Sequence, residues 1–377
     1  MKKARGRWIA VLMACALAIQ LTSCNPKEQA VDSSMRASAK VTGIEKYGHA
    51  VLDLTTADLV AVGYRLGDVV CVRLKTGEYT MPFYDGYYSN PKSPLLRGTS
   101  SEDYIALCIN YGDFSAQHGV TVGDTAEITM VEKAGMLAIQ ELYSLQYSKH
   151  REDYSDDASF SNFRAVTAGR MGEGKLYRGS SPINNENNRA DYAGDFIESA
   201  RVATVLNLAD SAEDVVGYME KGDSDCSYYR SLYESGKVMA VDLTGNFYSE
   251  EFSSSLAKGL SFLARNQAPY YIHCTEGKDR TGFTAMLLEA LMGATTDEMI
   301  DDYMLSFYNY YGIDKETEPE RYEAVLNINL LEMLYHITGV HTYEELEKAD
   351  LEAAATNYLL AAGMSERDIL ALKENLR

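Results

Sequence analysis

The run APYYIHC stops at Cys274, the loop CTEGKDR follows to Arg280, and TGFTAMLLEALMG then has the residue choice of a buried helix. A strand ending where a helix begins gathers successive backbone N–H groups and a helix N-terminus around one point, which makes a cradle for an anion. Few architectures carry such a join, and the surrounding chain agrees on one of them. From about residue 160, strand-like KLYRGS, VATVLNL, KVMAVDL and APYYIHC alternate with helical stretches at 188–200, 251–266 and 280–292. That order predicts an α/β domain with a largely parallel sheet, closed by helices from DEMIDDYMLSFYNYYG to the end of the chain.

The loop's residue types have chemical reasons. Gly277 permits the backbone conformation of a closed turn, and the positive end of the helix favours a thiolate on Cys274, the form that acts as nucleophile. Arg280 offers two parallel donors to the oxygens of a phosphoryl group, a geometry lysine cannot copy. Thr281 is expected to offer its hydroxyl to the sulfur, and His273 to orient the loop. The spacing lets Cys274 and Arg280 reach one phosphorus from opposite ends of the loop.

HCTEGKDRTG fits the HCxxGKDRTG loop of the bacterial tyrosine and dual-specificity branch of the protein tyrosine phosphatases. The chain resembles that branch over residues 160–377, in SNFRAVTAGRMGEGKLYRGSSP, VATVLNLADSAED, IDDYMLSFY and GMSERDILALKENL. The resemblance implies a phosphatase I-like α/β fold, a mostly parallel central sheet flanked by helices. It implies that Cys274 attacks phosphorus and that Thr275, Glu276, Gly277, Lys278, Asp279, Arg280 and Thr281 surround the phosphoryl group. Water then completes hydrolysis, with no metal and no cofactor. Such enzymes keep an acid about thirty residues before the cysteine, and Asp242 stands 274 − 242 = 32 positions upstream, in a segment with the glycine of a moving loop. Asp279 inside the loop is the alternative acid, and Asp210 a third candidate. The chain departs from the branch at Asn207-Leu208-Ala209, where Asp-Leu-Arg is usual. In relatives, lysine in the loop accompanies activity on phosphoinositides, so the implied substrates are phosphotyrosine or phosphoserine proteins, phosphoinositides or inositol phosphates.

Upstream, residues 41–132 hold short alternating runs, HAVLDLTT, VVCVRLK, YIALCIN and TAEITMVE, which predict a small all-β domain. Its turns and glycines resemble the C-terminal β-barrel of the S-adenosylmethionine hydroxide adenosyltransferases; this implies a barrel-like fold and carries over no active site. Residues 133–159 read as a helical connector. Cys71 and Cys108 lie in two of the β runs and read as buried thiols, with a bridge between them as the alternative.

Residues 1–23 place Lys2, Lys3, Arg5 and Arg7 before a short apolar stretch, the layout of an export signal. The ending Leu21-Thr22-Ser23-Cys24 resembles the lipobox of bacterial lipoproteins, which implies a lipid on Cys24, a tether over 24–40 and an extracytoplasmic, membrane-anchored protein. Loss of four basic and no acidic residues would take the formal charge from −20 to −24. So acidic a surface excludes nucleic acid as a partner and requires any anion site to be local.

Two other classes share parts of this pattern. A catalytically weak phosphate-binding or surface-interaction module could keep the loop, and a sulfur-transferring enzyme also sets a cysteine before a helix. The latter does not require the arginine with Thr-Gly behind it. Among the histidines only His336 and His341 are close in sequence, and no acidic partner stands at a metal-binding spacing.

Overall fold

The computed structural model describes residues 35–89, 92–100 and 103–377. The expected export signal, 1–23, and the expected lipid site, Cys24, lie outside the described residues. The chain divides into two compact units, up to Tyr143 and from Ser144 onward.

In the first unit seven strands close a barrel: β1 (Arg36–Ile44), β2 (Ala50–Thr55), β3 (Val69–Leu74), β4 (Gly77–Tyr84), β5 (Pro94–Arg97), β6 (Tyr104–Ile109) and β7 (Thr125–Glu132). The order is β1-β2-β6-β5-β4-β3-β7, and β7 pairs back onto β1. Every pair is antiparallel except β4 with β5. Alternation fills the interior: Ala39 and Val41, Ala50 and Leu52, Val70 and Val72, and Ala126 and Ile128 all face inward. The tether expected over 24–40 ends earlier than its composition suggested, because Arg36 to Lys40 pair with Thr129 to Thr125. The small residues Ala37 and Ala39 alternate with Arg36, Ser38 and Lys40, a strand pattern in linker-like composition. Cys71 and Cys108 are buried thiols on strands that are not neighbours, and burial pushes the Cys108 thiol up to about 12.

The second unit is built on β8 (Arg164–Val166), β9 (Leu176–Gly179), β10 (Thr204–Asn207), β11 (Val238–Ala240) and β12 (Tyr270–His273), in the order β11-β10-β12-β9-β8. Four strands run parallel and β8 alone is antiparallel. Val205 and Tyr271 join the core under the helices Ala190–Ser199, Ala212–Lys221 and Ser227–Glu234. Leu206, one residue on, meets Gly259 of the helix Glu250–Ala264 on the opposite face. The period of two thus covers both faces with helices, as a parallel sheet requires. The helix Asp279–Leu291 is buried at every residue from Thr281 to Leu291. No helix among the described residues is long and apolar enough to cross a membrane.

This topology sets one working edge. In register, His273 of β12 lies beside Gly179 of β9 and Asn207 of β10, so the chain leaves three adjacent strands at the same end of the sheet. Ligands of open α/β sheets bind outside the carboxyl ends of the strands.

Candidate active site

Cys274 follows β12 and is only 3% exposed, and the loop to Arg280 wraps back toward the end of β9. Gly277 has φ +70, and a Cβ there would lie 2.2 Å from the Gly179 carbonyl carbon and oxygen. Both the left-handed backbone and the close approach demand glycine. The loop's carbonyls are drawn outward one after another. Glu276 O accepts from the Tyr310 hydroxyl at 2.5 Å, and Gly277 O from Asn162 Nδ2 at 3.1 Å and Arg178 Nη2 at 2.9 Å. Lys278 O accepts from Arg178 Nη2 at 3.3 Å and from the Gly282 amide at 2.8 Å. With the carbonyls held on the outside, the amides are free to face the loop's interior.

A cavity of ≈230 Å³ opens on this interior, lined by Glu186, Cys274, Thr275, Glu276, Asp279 and Arg280. Arg280 is pinned by the Leu243 carbonyl at 3.1 Å, the Ala209 carbonyl at 3.4 Å and Thr275 Oγ1 at 3.4 Å. Ala209, where the branch usually has arginine, contributes its backbone alone. A broader depression over Asp350, Glu352, Ala353, Thr356 and Asn357 carries neither nucleophile nor cation.

The three candidate acids have separate places. Asp279 lines the cavity; its enclosure by the loop raises its carboxyl above the usual range, against the pull of Lys278 and Arg280. Half its side-chain surface is open, so solvent screens part of that rise. Asp210 is buried, which raises it too, and it accepts from Asn207 Nδ2 at 2.9 Å. Asp242 is exposed and is not among the cavity's lining residues. Its φ of +45 is a strained value for aspartate, in the turn that carries the Leu243 carbonyl to Arg280.

One expectation about neighbouring groups changes. The Thr281 hydroxyl is fully buried and makes no hydrogen bond among the described residues, so it does not reach the sulfur. His273 touches the loop at its first residue: its Nδ1 lies 3.3 Å from the Cys274 carbonyl, and Nε2 has no partner among the described residues. Burial pushes this imidazole down to about 3, and it stays neutral. The unfolded chain protonates it near 6.5, so folded stability is complete above that pH and declines as pH falls toward 3. Thermal unfolding between pH 7 and pH 4 should show the decline, and His273→Gln should remove up to roughly 3 kcal/mol of the pH 4 loss relative to the parent.

The residues missed in the sequence stand behind the loop. Arg178 on β9 is wholly buried, pairs with Asp302, and sends its second nitrogen to the Gly277 and Lys278 carbonyls. Arg164 on β8 holds the other oxygen of Asp302 at 2.7 Å. Burial would raise Asp302, but the two arginines outweigh it and hold the carboxyl at about 2. Glu289, one side of the same cluster, is raised well above its ordinary range by burial, with Asp302 adding. Arg164, Arg178 and Asp302 all lie in segments that carry the family resemblance, SNFRAV, KLYRGS and IDDYMLSFY, but nothing local marks them as partners.

The central strand of the sheet thus delivers a cysteine to a loop closed by an arginine. The profile of the tyrosine phosphatase family matches residues 160–377, and the chain belongs to that family of phosphatase enzymes. It is 36% identical over 69 residues to a Cupriavidus necator protein named putative tyrosine-protein phosphatase; the match covers 18% of this chain and 23% of that one. Among solved structures, the core catalytic domain of the S. cerevisiae PP-IP phosphatase SIW14 matches at 20% identity over 53% of this chain and 94% of that one, TM-score 0.29. An uncharacterized conserved protein of Thermotoga maritima matches at 20% identity over 29% and 40%, TM-score 0.24. The family profile alone carries the assignment.

Proposed function

We propose that the protein hydrolyses phosphomonoesters through a cysteinyl-phosphate formed on Cys274. The observation that carries this reading is the meeting of Cys274 and Arg280, the two ends of one loop, in a single cavity. The Cys274 sulfur attacks phosphorus, the bond from phosphorus to the ester oxygen breaks, and that oxygen leaves with a proton. Arg280 and the inward amides hold the three remaining oxygens as charge spreads over them. Water then attacks the phosphorus, the S–P bond breaks, and inorganic phosphate departs with the thiolate restored.

Asp279 is the acid that the geometry favours, because it shares the cavity with the nucleophile and its carboxyl is biased toward the protonated form. Activity on an alkyl phosphate, whose leaving oxygen needs a proton, should fall about 10²–10³-fold in Asp279→Asn and lose its basic limb in the pH–rate profile. p-Nitrophenyl phosphate should be affected less, since its leaving group departs as the anion. That behaviour in Asp242→Asn instead would move the acid to the strained turn.

The natural substrate in this reading is a phosphorylated protein, with phosphoinositides and inositol phosphates as the competing class. Export and lipid attachment through Cys24 rest on the sequence of residues 1–24, and a barrel like that of the adenosyltransferases on residues 41–132. Labelling with a radioactive fatty acid, lost in Cys24→Ala, tests the anchor.

A further inference from the structure

The cavity's charge is unusual for a site that binds a dianion. Its lining holds Glu186, Glu276 and Asp279 against one guanidinium, Arg280. Asp279, as the acid, carries a proton when substrate is bound, which leaves two carboxylates facing a phosphoryl group already held by Arg280. Two of the cations nearby, Lys278 and Arg189, are committed elsewhere. Lys278 Nζ lies 3.0 Å from the Tyr311 hydroxyl and 3.4 Å from Glu276, over the rings of Phe307 and Tyr311. Burial alone would lower this ammonium, but Asp279, Glu276 and Tyr311 overcome it and hold the group well above its ordinary range. It is therefore a fixed charge that neutralises Glu276 and has none to spare for a second phosphate.

Arg189 is likewise enclosed, packed on the rings of Tyr147, Phe160 and Tyr310 and bonded to the Phe160 carbonyl at 2.6 Å. Lys149 reaches Glu186 only at its backbone carbonyl, 3.1 Å away. Glu186 is exposed, it contributes to the cavity wall, and among the described residues its carboxylate has no ion-pair or hydrogen-bond partner. It follows β9 on a different segment from the loop and lines the same cavity as Cys274 and Arg280.

We infer that Glu186 selects phosphopeptides carrying a lysine or arginine beside the phosphorylated residue, and that the same carboxylate disfavours polyanionic inositol lipids. The inference rests on the phosphomonoester reading of the site. A flanking cation meets the unpaired Glu186 carboxylate; a second phosphate would meet the same negative charge, since Lys278 is already paired with Glu276. Discrimination of this kind is electrostatic, so it weakens with salt.

The test separates this inference from the reading beneath it. Turnover of p-nitrophenyl phosphate by the parent protein addresses hydrolysis alone. Selectivity is read by binding to the Cys274→Ser protein, which needs no turnover. The probes are three phosphotyrosine peptides with Lys, Ala or Glu beside the phosphotyrosine, and a short-chain phosphatidylinositol phosphate. At low ionic strength Kd should rise in the order Lys, Ala, Glu, spanning about tenfold or more, and the span should shrink in high salt. Adding Glu186→Gln should collapse the span. Equal affinities for the three peptides, tighter binding of the inositol lipid than of the Lys peptide, or a span untouched by Glu186→Gln would each overturn the inference.

Discussion

Replacing Cys274 with serine is expected to lower p-nitrophenyl phosphate turnover on the order of 10³-fold or more while phosphate still binds. The hydroxyl is close to the thiol in size, so the amides and Arg280, which do not depend on the sulfur, keep their places. A serine oxygen gives up its proton far less readily than a cysteine sulfur, and His273, the adjacent imidazole, is buried and directed at the Cys274 carbonyl. Acid quenching of the parent during turnover should leave a phosphoryl group on the peptide containing Cys274. Equal rates for parent and variant would remove the covalent route altogether.

The second large effect is expected at a buried residue behind the loop, Arg178. Arg178→Met should cost about 3–5 kcal/mol of stability in urea unfolding, because it leaves Asp302 buried with only Arg164 and strips a donor from the Gly277 and Lys278 carbonyls. Arg178→Lys should recover little, since an ammonium cannot reach a carboxylate and two carbonyls in one plane. Adding Asp302→Asn to Arg178→Met should restore part of the stability and little of the activity. That split separates the cost of an unpaired buried charge from the loss of loop geometry. Parallel losses that return together would mean that Arg178 serves the fold alone.

Legibility in the sequence followed the range of the physics involved. The loop, its glycine and its helix were readable because they are local: seven consecutive residues, Cys274 to Arg280, bring nucleophile and guanidinium together whatever the rest of the chain does. Strands β9, β10 and β12 were readable from apolar runs bounded by polar turns. Strand β1 was not, because alanines alternating with Ser38 and Lys40 have the composition of a linker, and only pairing with β7 reveals a strand. The cluster of Arg164, Arg178 and Asp302 joins residues up to 138 positions apart, and no local pattern reports such a meeting. Asp242 satisfied the spacing of an acid, yet spacing along a chain says nothing about the turn that carries it outward. Glu186 gave no signal at all, since an exposed glutamate beside asparagines reads as an ordinary loop.

The helix Asp279–Leu291, enclosed along almost its whole length, has a consequence for the timing of order in this protein. Surface helices fray and reopen many times for each global unfolding event, but a segment buried on all sides has no cheap opening of its own. Its first turn is also the end of the anion loop, so the loop inherits that stiffness. The entropy of arranging the amides is therefore surrendered once, when the chain folds, and does not fall due again with each substrate that arrives.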